Sequence, residues 1–137
     1  MRFWDSSALV PLVSDESKTD LLNEISSTDP VIVIAFITPV EVESAVWRKA
    51  RQIKDDVVRQ RSQQRLAQLR TSWSIVSNFE PALEEARRMV ARYGLRGADA
   101  IQLACGILAH PQRRLPFVTL DEELAAAARA EGFPILP

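Results

Sequence analysis

The sequence predicts an α/β fold, a three-layer arrangement with helices on both faces of a short, mostly parallel central sheet of about five strands. Three observations carry this. Short runs rich in β-branched and aromatic residues alternate with helical patterns along the whole chain, the order that produces parallel sheets. One helical stretch, Ala98 to Leu108, is apolar almost all round, as a central buried helix must be. The 137 residues suit a single domain, 1–137, long enough to bury roughly two-thirds of its unfolded surface.

The elements follow in order. Arg2 to Trp4 is the first strand candidate, and Asp5 closes it at the edge of a helix over Ser7 to Val13. A second helical pattern, Glu16 to Ser26, leads through the loop signal Asp29-Pro30 to a strand over Val31 to Phe36. Helices are predicted from Pro39 to Arg51 and from Asp55 to Arg70, before a strand at Trp73 to Ser77. In the next helix, Pro81 to Tyr93, Leu83, Ala86, Val90 and Tyr93 recur at helical spacing and Gly94 supplies the stop. After the apolar helix and the His110-Pro111 loop come a strand at Pro116 to Thr119, a helix at Glu122 to Glu131 and a strand at Pro134 to Leu136. All five strands are brief and expected to be buried.

Composition narrows the function classes. Hydrophobic residues at 47% and charged residues at 26% are ordinary for a soluble globular chain. No apolar run approaches the roughly 18 to 20 residues of a membrane span, and the N-terminus lacks a signal-like pattern, so a cytoplasmic location is expected. One cysteine, Cys105, and one histidine, His110, leave no set for a disulfide or a structural zinc site. Cys105 reads as a small buried hydrophobe and His110 as a surface residue. Any metal must be held by oxygen.

Four acids, Asp5, Glu41, Asp99 and Asp121, fall at or just inside predicted helix starts. Each has an ordinary explanation as a cap or a partner of the helix dipole; for Asp121, Thr119 and Glu122 have the spacing of a capping box. Capping does not explain why the arrangement recurs at strand ends, where open α/β sheets bind ligands. Gathered together, carboxylates repel by roughly 4 kcal/mol per close pair at an effective dielectric near 20, so a cluster calls for divalent cations or protons. Glu43 competes with Glu41, because residues two apart on a helix cannot face one point, and the stripe Val42, Val46, Ala50 and Ile53 flanks both alike. Periodicity does not choose between them.

Asp5-Ser6-Ser7-Ala8-Leu9, Val40-Glu41-Val42 with Ala45 and Arg48, Arg96-Gly97-Ala98-Asp99-Ala100, and Thr119-x-Asp121 with Ala127, Ala128 and Gly132 resemble, in this order, the PIN-domain ribonucleases, and most closely the VapC-type toxins. The resemblance implies a PIN-like fold and hydrolysis of RNA phosphodiester bonds. It implies that Asp5, Glu41, Asp99 and Asp121 are the catalytic acids and hold Mg²⁺ or Mn²⁺, with Ser7 and Thr119 in support. It selects Glu41 over Glu43 through the Val-Glu-Val context, Glu43 being an extra acid where the family often has a neutral residue. A cognate VapB-type antitoxin and a toxin homodimer are implied as partners.

Net charge is −1, from seventeen basic and eighteen acidic residues. Between Arg48 and Arg70, however, eight basic residues face only Asp55 and Asp56, a local balance of +6. That stretch, with Arg48, Arg59 and Arg61, is expected to track an RNA backbone, against the plainer reading of a solvated helical face. Trp47, Trp73 and Phe79 could stack on bases, but packing is the expectation for large aromatic residues beside apolar stripes. Leu9, Val10, Leu12, Val13, Leu21, Leu22 and Ile25 on the early helices offer more apolar surface than one core face needs, part of it for a partner. Rival readings are a haloacid-dehalogenase-like phosphatase, which would carry a second Asp where Ser7 stands, and a receiver or nucleotide-binding module, although no glycine-rich phosphate loop occurs. A PIN-like nuclease in RNA processing and a catalytically silent binding module are the remaining alternatives.

Overall fold

The computed structural model describes residues 1–137. Its elements run β1 (Arg2–Trp4), α1 (Ser6–Val13), α2 (Thr19–Thr28), β2 (Ile32–Ala35), α3 (Thr38–Gln52), α4 (Asp56–Arg70), β3 (Trp73–Val76), α5 (Phe79–Tyr93), α6 (Gly97–Ala109), β4 (Phe117–Val118), α7 (Glu122–Ala130) and β5 (Ile135–Leu136). The five strands form one sheet in the order β3-β2-β1-β4-β5, and every pairing is parallel.

Alternation along each strand divides the core. Phe3, Val33, Ala35 and Phe117 point to one face, where they pack with residues of α5, α6 and α7; Trp4, Ile32, Ile34 and Val118 point to the other, with residues of α1, α2, α3 and α4. The strands thus carry apolar side chains on both faces, as a sheet covered twice requires. α6 lies closest, since a Cβ on Gly106 would sit 2.9 Å from the Phe117 ring. Gly94, at φ 66°, ends α5 in the left-handed conformation that a side chain would strain.

Several sequence expectations shift. β3 and β5 are half-exposed, because as edge strands each has one neighbour only. α2 starts at Thr19 rather than Glu16, since the Thr19 hydroxyl accepts from the Glu16 N–H and donates to the Pro11 and Ser14 carbonyls, closing a turn instead. Of the apolar residues on the early helices, Leu9, Val13 and Leu22 enter the core and only Leu21 is exposed, so the sheet consumes most of the surface expected to be spare. Cys105 is buried, which lifts its thiol pKa to about 11 and makes it unreactive. His110 is the half-buried C-cap of α6, its Nδ1 accepting from the Arg114 N–H. No helix is long and apolar enough to cross a membrane.

The sheet order creates a reversal. The chain steps outward from β1 through β2 to β3, then returns to the other side of β1 for β4 and β5. Ligands of open parallel sheets bind at the carboxyl ends of the strands flanking such a reversal. Asp5 follows β1 there, and Asp121 follows β4.

Candidate active site

Asp5 is 3% exposed and caps α1, its carboxylate accepting from the Ser7 N–H at 3.2 Å. The same oxygen, Oδ2, also accepts from the Ser7 hydroxyl and from the Thr119 hydroxyl at 3.0 Å. Oδ1 has only the Ser6 hydroxyl, at 3.4 Å. One oxygen is thus locked and the other is left nearly free to take a ligand.

Ser7 and Thr119 join the ends of β1 and β4. The Ser7 Oγ accepts from the Leu120 N–H at 2.9 Å, and the Thr119 Oγ1 accepts from the Asp121 N–H at 3.1 Å. Thr119 does not form the capping box its spacing suggested. α7 starts at Glu122, so Asp121 itself is the cap, accepting from the Leu124 N–H at 2.8 Å, while Thr119 is buried and serves Asp5.

The third acid lies in the first turn of α3. Glu41 Oε1 accepts from Gln102 Nε2 at 2.6 Å, and the same nitrogen donates to the Thr38 hydroxyl at 2.9 Å. Gln102 and Thr38 are both buried. Gln102 escaped the sequence reading, although a signal existed: it is the one polar side chain after Asp99 in an otherwise apolar helix, three residues on and therefore on the same face. Asp99 itself is half-exposed in the first turn of α6.

Asp5, Glu41, Asp99 and Asp121 line one cavity of about 540 Å³, whose walls also include Ser6, Ser7, Ser44 and Arg48. Glu43 is not among them. It faces a neighbouring groove, with Trp47 and Arg70. The two acids face apart, as the 200° between alternate helical positions requires, and Glu41 is the one that lines the cavity.

Electrostatics bind three of the acids together. Burial raises the Asp5 pKa above its ordinary value, although hydrogen bonds from Ser7 and Thr119 oppose the rise. Glu41 is raised by burial, and further by the charges of Asp5 and Asp99, with Gln102 and Ser6 opposing. Asp99 is raised by burial and then by Asp121 and Asp5. Each charge costs more because of the others, and a cation between them would reverse that sign. No three acidic, histidine or cysteine side chains close into a ligand cage. The donors are all oxygen, the chemistry of hard divalent ions such as Mg²⁺ and Mn²⁺.

The basic segment does not form one track. Lys49 pairs with Glu16, Arg65 with Asp15 and Arg70 with Glu43, acids distant in sequence, and Arg59 pairs locally with Asp56, so half of the eight basic residues are neutralised. Arg61 is exposed on α4 away from the cavity, and Arg48 alone of the segment lines it. The aromatic expectations also change. Trp47 is 50% exposed and Phe79 55%, the latter packing edge-on against Phe36, whereas Trp73 is half-buried.

The model of the PIN domain matches residues 2–130. Among solved structures, the chain is similar to PAE2754 from Pyrobaculum aerophilum, at 24% identity and a TM-score of 0.70 over 98% of this chain and 87% of that one. It is also similar to a chain of a toxin-antitoxin complex from Klebsiella pneumoniae, at 20% identity and a TM-score of 0.68 over 100% and 97%. No curated protein matches.

Proposed function

The chain belongs to the PIN domain family, a family of nucleases, and from that premise we propose that it is a divalent-cation-dependent endoribonuclease acting in the cytoplasm as a VapC-type toxin. The observation that carries this is the single cavity that receives carboxylates from four separate segments, after β1, on α3, on α6 and after β4. A helix cap needs no such company.

The residues fit a cation. Asp5, Glu41, Asp99 and Asp121 would hold one, or two, through oxygen alone. The chemistry a bound Mg²⁺ or Mn²⁺ would supply is positive charge opposite the phosphoryl oxygens and a lowered water pKa, so that hydroxide is available as the nucleophile. The chain's own part is placement. Ser7 and Thr119 fix the Asp5 carboxylate by occupying Oδ2, and Gln102 fixes Glu41 against the repulsion of its neighbours. Arg48, on the cavity wall, is suited to binding a phosphate oxygen of the RNA.

The partners in this reading are RNA, a cognate VapB-type antitoxin and a second copy of the toxin. Likeness in fold to a member of a toxin-antitoxin complex supports the antitoxin. The exposed apolar side chains Leu83 and Val90 on α5 offer a face for the second copy. The test is incubation of wild type, Asp5→Asn and Asp99→Asn with a pool of cellular RNAs and Mg²⁺ or Mn²⁺, repeated with chelator. The reading requires wild-type cleavage that chelator and either substitution abolish; cleavage surviving both refutes it.

A further inference from the structure

Trp47 lies on α3 one residue before Arg48, and half of its surface is open to solvent. Its indole N–H is already satisfied, donating to Glu43 Oε1 at 3.0 Å. Glu43 is in turn 3.7 Å from the Arg70 guanidinium, which offsets its charge. A large ring whose single polar atom is tied down has only its faces left to offer. The position in α3 fixes what those faces meet. Val40 and Ser44 line both the carboxylate cavity and the groove that holds Trp47, so the two are continuous. Trp47 also borders a further groove with Arg59, Gln60 and Gln64. Along the helix axis the backbone positions of Trp47 and Glu41 are roughly 9 Å apart at a rise of about 1.5 Å per residue.

We infer that Trp47 is a stacking platform for a base of single-stranded RNA next to the phosphate held at the carboxylates, with Glu43 as the positioning residue that orients its ring. The inference rests on the proposed ribonuclease function and adds a substrate-binding residue outside the carboxylate cavity. Every base has an apolar face, so stacking grips single strands with little sequence preference, while a base inside a duplex has its faces covered. Arg48, in the adjoining carboxylate cavity, supplies positive charge that a backbone crossing this surface needs. The role also accounts for the additional acid at position 43, which the carboxylate cavity does not use.

The experiment measures binding of a fluorescein-labelled oligoribonucleotide, single-stranded or annealed to its complement, with cleavage silenced by Asp5→Asn. Trp47→Ala in that background is expected to weaken single-strand binding about tenfold and leave duplex binding unchanged, with Trp47→Phe restoring most of the loss. Glu43→Gln should weaken it less. Tryptophan fluorescence should be quenched by the single strand, and the quench should shrink in Trp47→Phe. Unchanged single-strand affinity in Trp47→Ala, beside intact binding by its parent, overturns this inference alone and makes the ring a protein contact. An equal loss on single strand and duplex also overturns it. If the parent binds no RNA and wild type cleaves none, both the inference and the function beneath it fall.

Discussion

Asp5→Asn is the substitution that separates a metal site from a structural cap. Asparagine keeps the shape, caps a helix nearly as well as aspartate, and can place its carbonyl oxygen where Oδ2 accepts from Ser7 and Thr119. What it removes is charge. At an effective dielectric of about 20, unit charges about 8 Å apart repel by roughly 2 kcal/mol, and water in an open cavity reduces this to on the order of 1 kcal/mol. Asp5 repels both Glu41 and Asp99, and its own burial adds to the cost. Weaker hydrogen bonds to a neutral oxygen give back about 0.5 kcal/mol each. The net is a stabilisation of the metal-free protein by about 1–2 kcal/mol at pH 7, or roughly 3–8 °C in thermal midpoint for a chain of this size.

The sign follows from the raised pKa of Asp5. Below the ordinary carboxylate value the acid is neutral whether folded or not, and wild type should match the variant. As pH rises through the raised folded pKa values, both proteins lose stability through Glu41 and Asp99, and wild type loses more by the share of Asp5. Calorimetry from pH 4 to pH 7, without metal and then with Mn²⁺, reads both effects. An ion at a hundredfold excess over its dissociation constant stabilises by about 2.7 kcal/mol, a gain expected for wild type and mostly absent in Asp5→Asn. A variant that melts below wild type without metal, or gains as much from Mn²⁺, refutes the reasoning.

Other consequences follow from the same geometry. Gln102→Leu leaves the Thr38 hydroxyl unpaired and Glu41 unguided; chemical denaturation should show a loss of about 1–3 kcal/mol, and cleavage should fall further than binding. Gly106→Ala drives a methyl group toward Phe117 and should cost about 1–3 kcal/mol in the same assay, with unchanged metal affinity. Arg48→Ala should lower RNA affinity and reduce the slope of log affinity against log salt by about 1. The double variant Arg59→Ala plus Arg61→Ala should do less to that slope, because Arg59 is already paired with Asp56.

Much of this architecture is legible in residue order. The alternation of short apolar runs with helical patterns marks all twelve elements, since burial on both sheet faces leaves periodicity that single residues report. The start of α2 moved through side-chain hydrogen bonds at Thr19, which spacing does not encode. At the cavity, the recurrence of acids at strand ends marks Asp5, Asp99 and Asp121; periodicity leaves Glu41 and Glu43 open, the family resemblance selects Glu41, and Glu41 is the one that lines the cavity. Gln102 was hidden because one amide in a buried helix has no pattern of its own. The basic stretch misled for the opposite reason. Its neutralising acids, Asp15 and Glu16 among them, are remote in sequence and meet it only through packing.

The central claim is that four carboxylates hold a divalent cation, and Mn²⁺ titration followed by electron paramagnetic resonance tests it without need of a substrate. Wild type should bind Mn²⁺, with affinity reduced at least about tenfold in Glu41→Gln and in Asp99→Asn, an effect of roughly 1.4 kcal/mol, and little changed in Glu43→Gln. If Glu43→Gln weakens binding as much as Glu41→Gln, or if the wild type takes up no Mn²⁺, the carboxylate cavity is not the metal site.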